Sequence, residues 1–258
     1  MKIGPYTLVS PVYVAPMAGV TDAPFRKIAR EFGAGLACTE MISSEALVRQ
    51  HRESFRLMDL GWDFATRNYL EMATRLEATG IQGLAVHGRT RSQRYDPSAD
   101  WIAIAQVKSA VKIPVAGSGD LRSADDALRR IRESGVDAVM LGRGILGNLW
   151  LVRQTVARLT TGEAIPALAW IEQIELVARH CDLVLDYYGA ERGPRLLRKF
   201  IAWGLRGFRG AARLRTTVQS VCRPEDVREV LERALTIDPG ARLDDDDAFD
   251  GPSSCEAA

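Results

Sequence analysis

The chain has 258 residues, 47% of them hydrophobic and 26% charged, with a formal net charge of +1. This is ordinary globular composition, long enough for one large domain or two modest ones. No run approaches the roughly 18 apolar residues of a membrane span, and Pro5, Ser10 and Pro11 interrupt what would be a secretory apolar core at the N-terminus.

Residues 12–18, VYVAPMA, read as a buried strand, followed by a loop with Asp22 and Pro24 and a helix over 25–33 that closes at Gly33. Residues 35–41 read as a second strand and 44–58 as a helix. The stretch SFRLMDLGWDFATRNYL, 54–70, then joins two segments that each read well alone. After it come a helix closing at Gly80, a strand over 83–90, a helix over 101–111 and a strand over 113–120 entering a glycine-rich turn. A helix follows with Ser123 as N-cap and Asp126 in a capping-box position, then a strand over 136–144 and a helix over 148–159. Strands thus alternate with helices from residue 12 to about 160, the pattern of a parallel sheet. Met17, His87, Asp120 and Arg143 fall where strands end, which fits the C-terminal face of a (β/α) barrel, although five strands are read rather than eight.

From about residue 165 the chain reads as all-helical: IEQIELVARHCDLVLDYYG, PRLLRKFIAWGLRGF and RPEDVREVLERAL are three amphipathic segments. The predicted organisation is an incomplete (β/α) TIM-type barrel of about five βα units over 1–164, a small all-α domain over 165–237, and a disordered acidic tail over 238–258. The tail contributes about −6 and the body about +7. The run 192–215 holds eight bases and no acid, a charge focus suited to a polyanion. Arg195, Arg198 and Lys199 fall on one helical face, with Phe200 and Trp203 read as core. Cys38, Cys181, Cys222 and Cys255 form no CxxC pair. They read as reduced thiols of a cytoplasmic protein, Cys38 as a small buried hydrophobe, and no metal site is read.

GSGD (117–120) and GRG (142–144) follow consecutive strands, each just before a helix. Backbone N–H groups in such loops make phosphate sites in barrels, and Arg143 can add a charge-assisted bond; tight turns are the alternative. GRGILG also matches G-x-G-x-x-G, but no second strand ending in an acid follows, against a Rossmann unit. His87 stands at a strand end beside Arg89, Thr90 and Arg91, which favours function over a structural role.

APMAGVTDAPFRKIAREFGAGLACTEM, AVHGRTRSQRY, IPVAGSGDLRS and DAVMLGRGILGNLWL together resemble the tRNA-dihydrouridine synthases, most of all the bacterial B-type branch. The likeness covers nearly all of 1–235. It implies an FMN-bound barrel with a helical tRNA-binding domain, NADPH as reductant, hydride delivery from the flavin to a tRNA uridine drawn out of the RNA fold, and a cysteine that supplies the proton. Residue by residue, it implies cofactor contacts from Pro16, Met17, Ala18, His87, Ser118, Gly119, Asp120, Gly142 and Arg143. Ser118 departs from the family's usual asparagine. Arg198 and Lys199 match the family's basic pair in the helical domain; with Arg195 of the same basic run and Arg89 and Arg91 beside His87, they are the residues read for tRNA.

Family members carry roughly 80 residues between the counterparts of Leu60 and Gly61, enough for about three βα units. That stretch normally brings a flavin-contacting glutamine, a lysine and the loop with the proton-donating cysteine, and none has a counterpart here. No catalytic residue is therefore assigned. The expectation is weak or no FMN retention and no uridine reduction by the isolated chain. The alternatives are an inactive tRNA-binding paralogue or an internally deleted, poorly folding form. The two exposed sheet edges would pair with each other or with a second chain. The target uridine and the oligomeric state stay open.

Overall fold

The computed structural model describes residues 1–40, 69–89, 98–207 and 211–237. The helix expected over 44–58, the junction up to 68, Arg91, Arg209 and the acidic tail lie outside the described residues. In chain order the elements are β1 (Lys2–Ile3), β2 (Tyr6–Thr7), β3 (Val12–Val14), α1 (Ala23–Glu31), β4 (Leu36–Ala37), α2 (Tyr69–Ala78), β5 (Leu84–His87), α3 (Trp101–Ala110), β6 (Val115–Ser118), α4 (Ala124–Ser134), β7 (Ala138–Leu141), a 3₁₀ turn (Arg143–Ile145), α5 (Trp150–Thr160), α6 (Trp170–Gly204), α7 (Ala211–Thr217), a 3₁₀ turn (Val218–Ser220) and α8 (Pro224–Leu235).

Five strands form one parallel sheet in the order β4-β3-β7-β6-β5. These are the five strands expected from the sequence, and the fold is an α/β sheet of barrel-type βα units. The register aligns His87, Ser118, Met140, Tyr13 and Leu36 in one row across the sheet, with Ala85, Ala116 and Ala138 in the next. Side chains alternate between faces along each strand, so both rows share a face. The opposite face carries Val12, Val14, Val139 and Leu141, all fully buried. Each such aliphatic side chain contributes about 1.5–3 kcal/mol on burial. Trp101 of α3 lies so close over Gly117 that a Cβ there would come within 2.5 Å of the indole.

Local signals explain the helix starts. The Asp22 side chain accepts from the Phe25 N–H at 2.9 Å and Asp100 from Ala103 at 2.9 Å. Ser123 and Asp126 form the expected capping box. The hairpin of β1 and β2 was not anticipated, because two-residue strands show no period. It carries Met1, Ile3 and Leu8 against a cluster of Tyr13, Ala116, Ala138 and Met140 on the inner face. Burial, then Asp137 and Cys38, pushes the Tyr13 phenol up to about 12. Cys38 packs against the same cluster, half-buried, and burial raises its thiol pKa.

The chain divides into two compact units, one of Met1–Ile145 with Leu149–Pro166, the other of Leu146–Asn148 with the chain from Ala167 on. In the second, α6 is broken at Gly189, whose φ of 75° and ψ of 175° are not helical, with Pro194 inside the following segment. The two halves correspond to the two separate amphipathic segments of the sequence. Helix α7 had no counterpart in the sequence reading. The Trp170 indole N–H donates to the Ala234 carbonyl at 2.8 Å, tying α6 to α8.

His180 of α6 is buried, 4.7 Å from the Phe200 ring, and burial lowers its pKa to about 4. The imidazole folds neutral, and the unfolded chain takes up its proton first as pH falls. Stability is therefore complete above pH 6.5, declines as pH drops towards 4 and then levels off. The loss approaches about 3 kcal/mol. Urea unfolding of wild type and His180→Leu at pH 7 and pH 4.5 should show a markedly smaller acid loss in the variant; equal losses would refute the assignment.

Candidate functional site

All five strands end on one side of the sheet, and the loops after four of them carry the candidate site. Beyond β5 come Gly88 and Arg89, beyond β6 Gly119 and Asp120, beyond β7 Gly142 and Arg143, and beyond β3 the loop Ala15–Val20. Parallel strands bring these segments together although they are far apart in sequence.

The firmest contact is an ion pair. One guanidinium nitrogen of Arg89, Nη2, donates to both oxygens of Asp120, at 2.8 Å and 2.7 Å. The Arg89 side chain is 3% exposed and that of Asp120 22%. The Ala99 N–H also donates to Asp120 Oδ2 at 2.7 Å. Burial acts to raise the Asp120 pKa, but the bonds from Ala99 and Arg89 outweigh it and hold the carboxyl below its usual range.

Backbone geometry supports this pair. Asp120 has φ 51°, a left-handed conformation uncommon outside glycine, and Gly119 before it has φ 138°. A Cβ on Gly119 would come within 2.4 Å of the Ala99 Cβ. The Trp101 indole N–H donates to the Gly119 carbonyl at 3.0 Å. The loop before α3 and the loop after β6 are thus fastened together, with Asp100 N–H on the Gly88 carbonyl at 2.7 Å and Gly88 N–H on the Ser118 carbonyl at 3.0 Å.

The GRG loop lies directly against that assembly. A Cβ on Gly144 would sit 2.1 Å from the Leu121 carbonyl oxygen, so glycine there permits the close approach of the two loops. At Gly142 the same atom would meet only Ala15, at 3.7 Å, which leaves that side open. Arg143 lies close enough to act electrostatically on both Asp120 and His87. His87 is exposed at the end of β5. The surrounding protein, then Arg89 and Arg143, lower its pKa, so the ring is neutral at pH 7. Two glycine loops, an arginine and a neutral imidazole are a donor set suited to a phosphorylated ligand.

Pro16 and Ala18 are exposed and Met17 half-buried, in a loop pinned by Thr21. The Met17 N–H donates to Thr21 Oγ1 at 2.9 Å and the Thr21 hydroxyl donates back to the Met17 carbonyl at 3.2 Å. The Gly19 N–H donates to Glu40 at 2.9 Å. The structure therefore brings Met17, His87, Ser118, Gly119, Asp120, Gly142 and Arg143 to one end of the sheet.

Two of the expected contact residues also have partners within the protein. Arg89, read as a tRNA contact, is buried and committed to Asp120, so a nucleic-acid contact from it would require breaking that pair. Asp120, read as a cofactor contact, spends its carboxylate on Arg89 and Ala99. In the helical unit, Arg195 is exposed and Lys199 half-buried. Arg198 donates through Nε to the Val221 carbonyl at 2.7 Å and lies 3.1 Å from Cys222 Sγ, so it braces the turn before α8. Sequence reasoning missed Ala99, Trp101, Thr21 and Glu40. Only Trp101 carried a signal, as a large aromatic opening a helix beside a glycine-rich strand.

The dihydrouridine synthase (Dus) family model matches residues 13–60 and 57–237, two stretches that meet at the sequence junction. A probable tRNA-dihydrouridine synthase of Rickettsia prowazekii is 31% identical over 312 residues, covering 89% of this chain and 95% of the relative. A second, from Rickettsia conorii, is 30% identical over 319 residues, covering 92% and 96%. The tRNA-dihydrouridine synthase B of Pseudomonas aeruginosa is 30% identical over 297 residues, covering 83% and 90%. The Rickettsia prowazekii alignment is longer than the 258-residue chain itself, so that relative carries a stretch without a counterpart here. With the parallel sheet, the paired glycine loops at its end and matches over most of its length, the chain belongs to the dihydrouridine synthase family.

Proposed function

We propose that the chain serves flavin-dependent reduction of uridine in tRNA, with FMN held by its phosphate and NADPH as the source of electrons. The observation that supports this reading is the close packing of Gly144 on Leu121, which holds the loop of Gly142 and Arg143 against the loop after β6. Bound FMN would supply the hydride. Arg143 and the Gly142 backbone would hold the phosphate, and the Gly119 backbone would line its approach. His87, neutral at pH 7, offers one N–H and one lone pair for the ring end.

The proton is the weak point. Of Cys38, Cys181 and Cys222, only Cys38 stands at the sheet end, directly after β4, and it packs half-buried on the inner face; Cys181 is buried in α6 and Cys222 precedes α8. Cys181 is held protonated by burial and then Asp182. We read the chain as lacking the family's proton donor, which leaves water to protonate the base. Loss of a positioned acid slows such a step by roughly 100- to 10,000-fold. The second reading is a tRNA-binding member without turnover, and the family match itself does not favour it.

Titration with FMN, followed by quenching of flavin fluorescence, should show saturable binding that Arg143→Ala weakens by about tenfold or more. An unchanged affinity would remove Arg143 from the site. Incubation with tRNA and NADPH, with dihydrouridine counted by mass spectrometry, should give product far more slowly than the Pseudomonas aeruginosa relative; equal rates would show that an acid is present after all. No product with intact FMN and tRNA binding would establish the second reading.

The nucleic-acid half has its own test. Arg195→Glu and Lys199→Glu should weaken tRNA binding and lower the salt slope by about 1 per charge removed. Unchanged binding in both would exclude this face. Arg198 is the wrong position to probe first, because its loss also frees the turn that it braces.

A further inference from the structure

The inner face of the sheet is covered in the middle and bare at both margins. Tyr13 is 4% exposed, Met140 8% and Ala116 2%, whereas Leu36 on β4 is 39% exposed and Ala85 and His87 on β5 are exposed as well. These residues share two rows of one face, so the difference comes from position in the sheet, not from residue type. Each margin lacks the wall that a neighbouring strand would supply. Among the described residues, neither β4 nor β5 pairs on its outer side, and they do not pair with each other.

The two edges are complementary. Strands in the sheet are parallel, so β4 and β5 point the same way. The N–H groups of Leu84 and Gly88 bond to β6, which leaves the Ala85 and His87 amides aimed at the open side. The stretch 41–68 is about the length of one βα unit, at roughly 30 residues per unit.

We propose that a second copy of this chain completes the barrel. A two-fold axis along the barrel lays β4 of each copy beside β5 of the other. All strands stay parallel, both seams close and no edge remains, giving a ten-stranded ring. Such a ring is wider than an eight-stranded barrel, and the segment with Met1, Ile3 and Leu8, present from both copies, occupies the added interior. The candidate site is incomplete without the partner, because His87 stands on a seam strand. This inference rests on strand pairing alone, so it stands or falls separately from the flavin reading.

Native mass spectrometry and light scattering of the unmodified chain should give twice its 28.4 kDa mass; a monomer at every accessible concentration overturns the proposal. Ala85→Pro removes an outward amide from an edge position that tolerates proline. It should yield a monomer with unchanged far-UV circular dichroism, and a dimer that persists with intact secondary structure overturns the seam. If that variant does not fold, Leu36→Cys and Ala85→Cys in separate chains, with Cys38, Cys222 and Cys255 changed to serine, decide the matter. A bis-maleimide should link the mixed chains into a covalent dimer. Absence of that link, or a link within one doubly substituted chain, overturns the proposal.

Discussion

The end of the sheet depends on the ion pair between Arg89 and Asp120. Each belongs to the loop of a different strand, and both would be costly to leave unpaired away from water. Together they set where the loop after β5 stops and where the loop after β6 turns. Asp120 holds a left-handed backbone with its carboxylate fixed from two sides, by Arg89 and by the Ala99 amide. The glycine-rich loop after β7 then packs on this platform at Leu121. The arrangement of these loops is thus a product of several short-range constraints on backbone, with little contribution from flexible side chains.

This division of labour matters for how the family's residues are read. Arg89 and Arg198 look alike in a sequence, as basic residues in basic surroundings. Their surroundings differ from that picture: Arg89 serves the buried pair, and Arg198 serves the carbonyl of Val221. Arg195, with the same formal charge and a few residues away from Arg198, is exposed to solvent. Charge in a sequence marks a region that tolerates or attracts anions, but only burial and hydrogen bonding say which members of the region are available.

Much of the architecture was legible in the sequence. Alternating apolar runs and amphipathic segments marked the strands and most helices. Ser123 with Asp126 marked a helix start, and glycines after strands marked the site loops. The hairpin at the N-terminus escaped notice because two-residue strands carry no periodicity, and α7 because its seven residues blend into a basic run. The break at Gly189 was visible as a glycine between two amphipathic stretches, whereas the role of Ala99 was invisible, since it acts through a backbone amide. Two exposed edges were expected from the strand count, but only the register shows that Leu36 and Ala85 are among the residues left uncovered there.

The row that joins His87, Ser118, Met140, Tyr13 and Leu36 has a consequence for how this chain can change over generations. Side chains on a strand alternate, so a one-residue slip turns every one of them to the opposite face. An added residue between Thr79 and Gly83 is taken up by the connection and leaves β5 in phase. The same addition inside Leu84–His87 sends the imidazole among the helices and brings Val86 or Gly88 to the inner row. Insertions and deletions are therefore filtered by parity in the strands and by length in the connections. The site keeps its imidazole for the same reason that the sheet keeps its core.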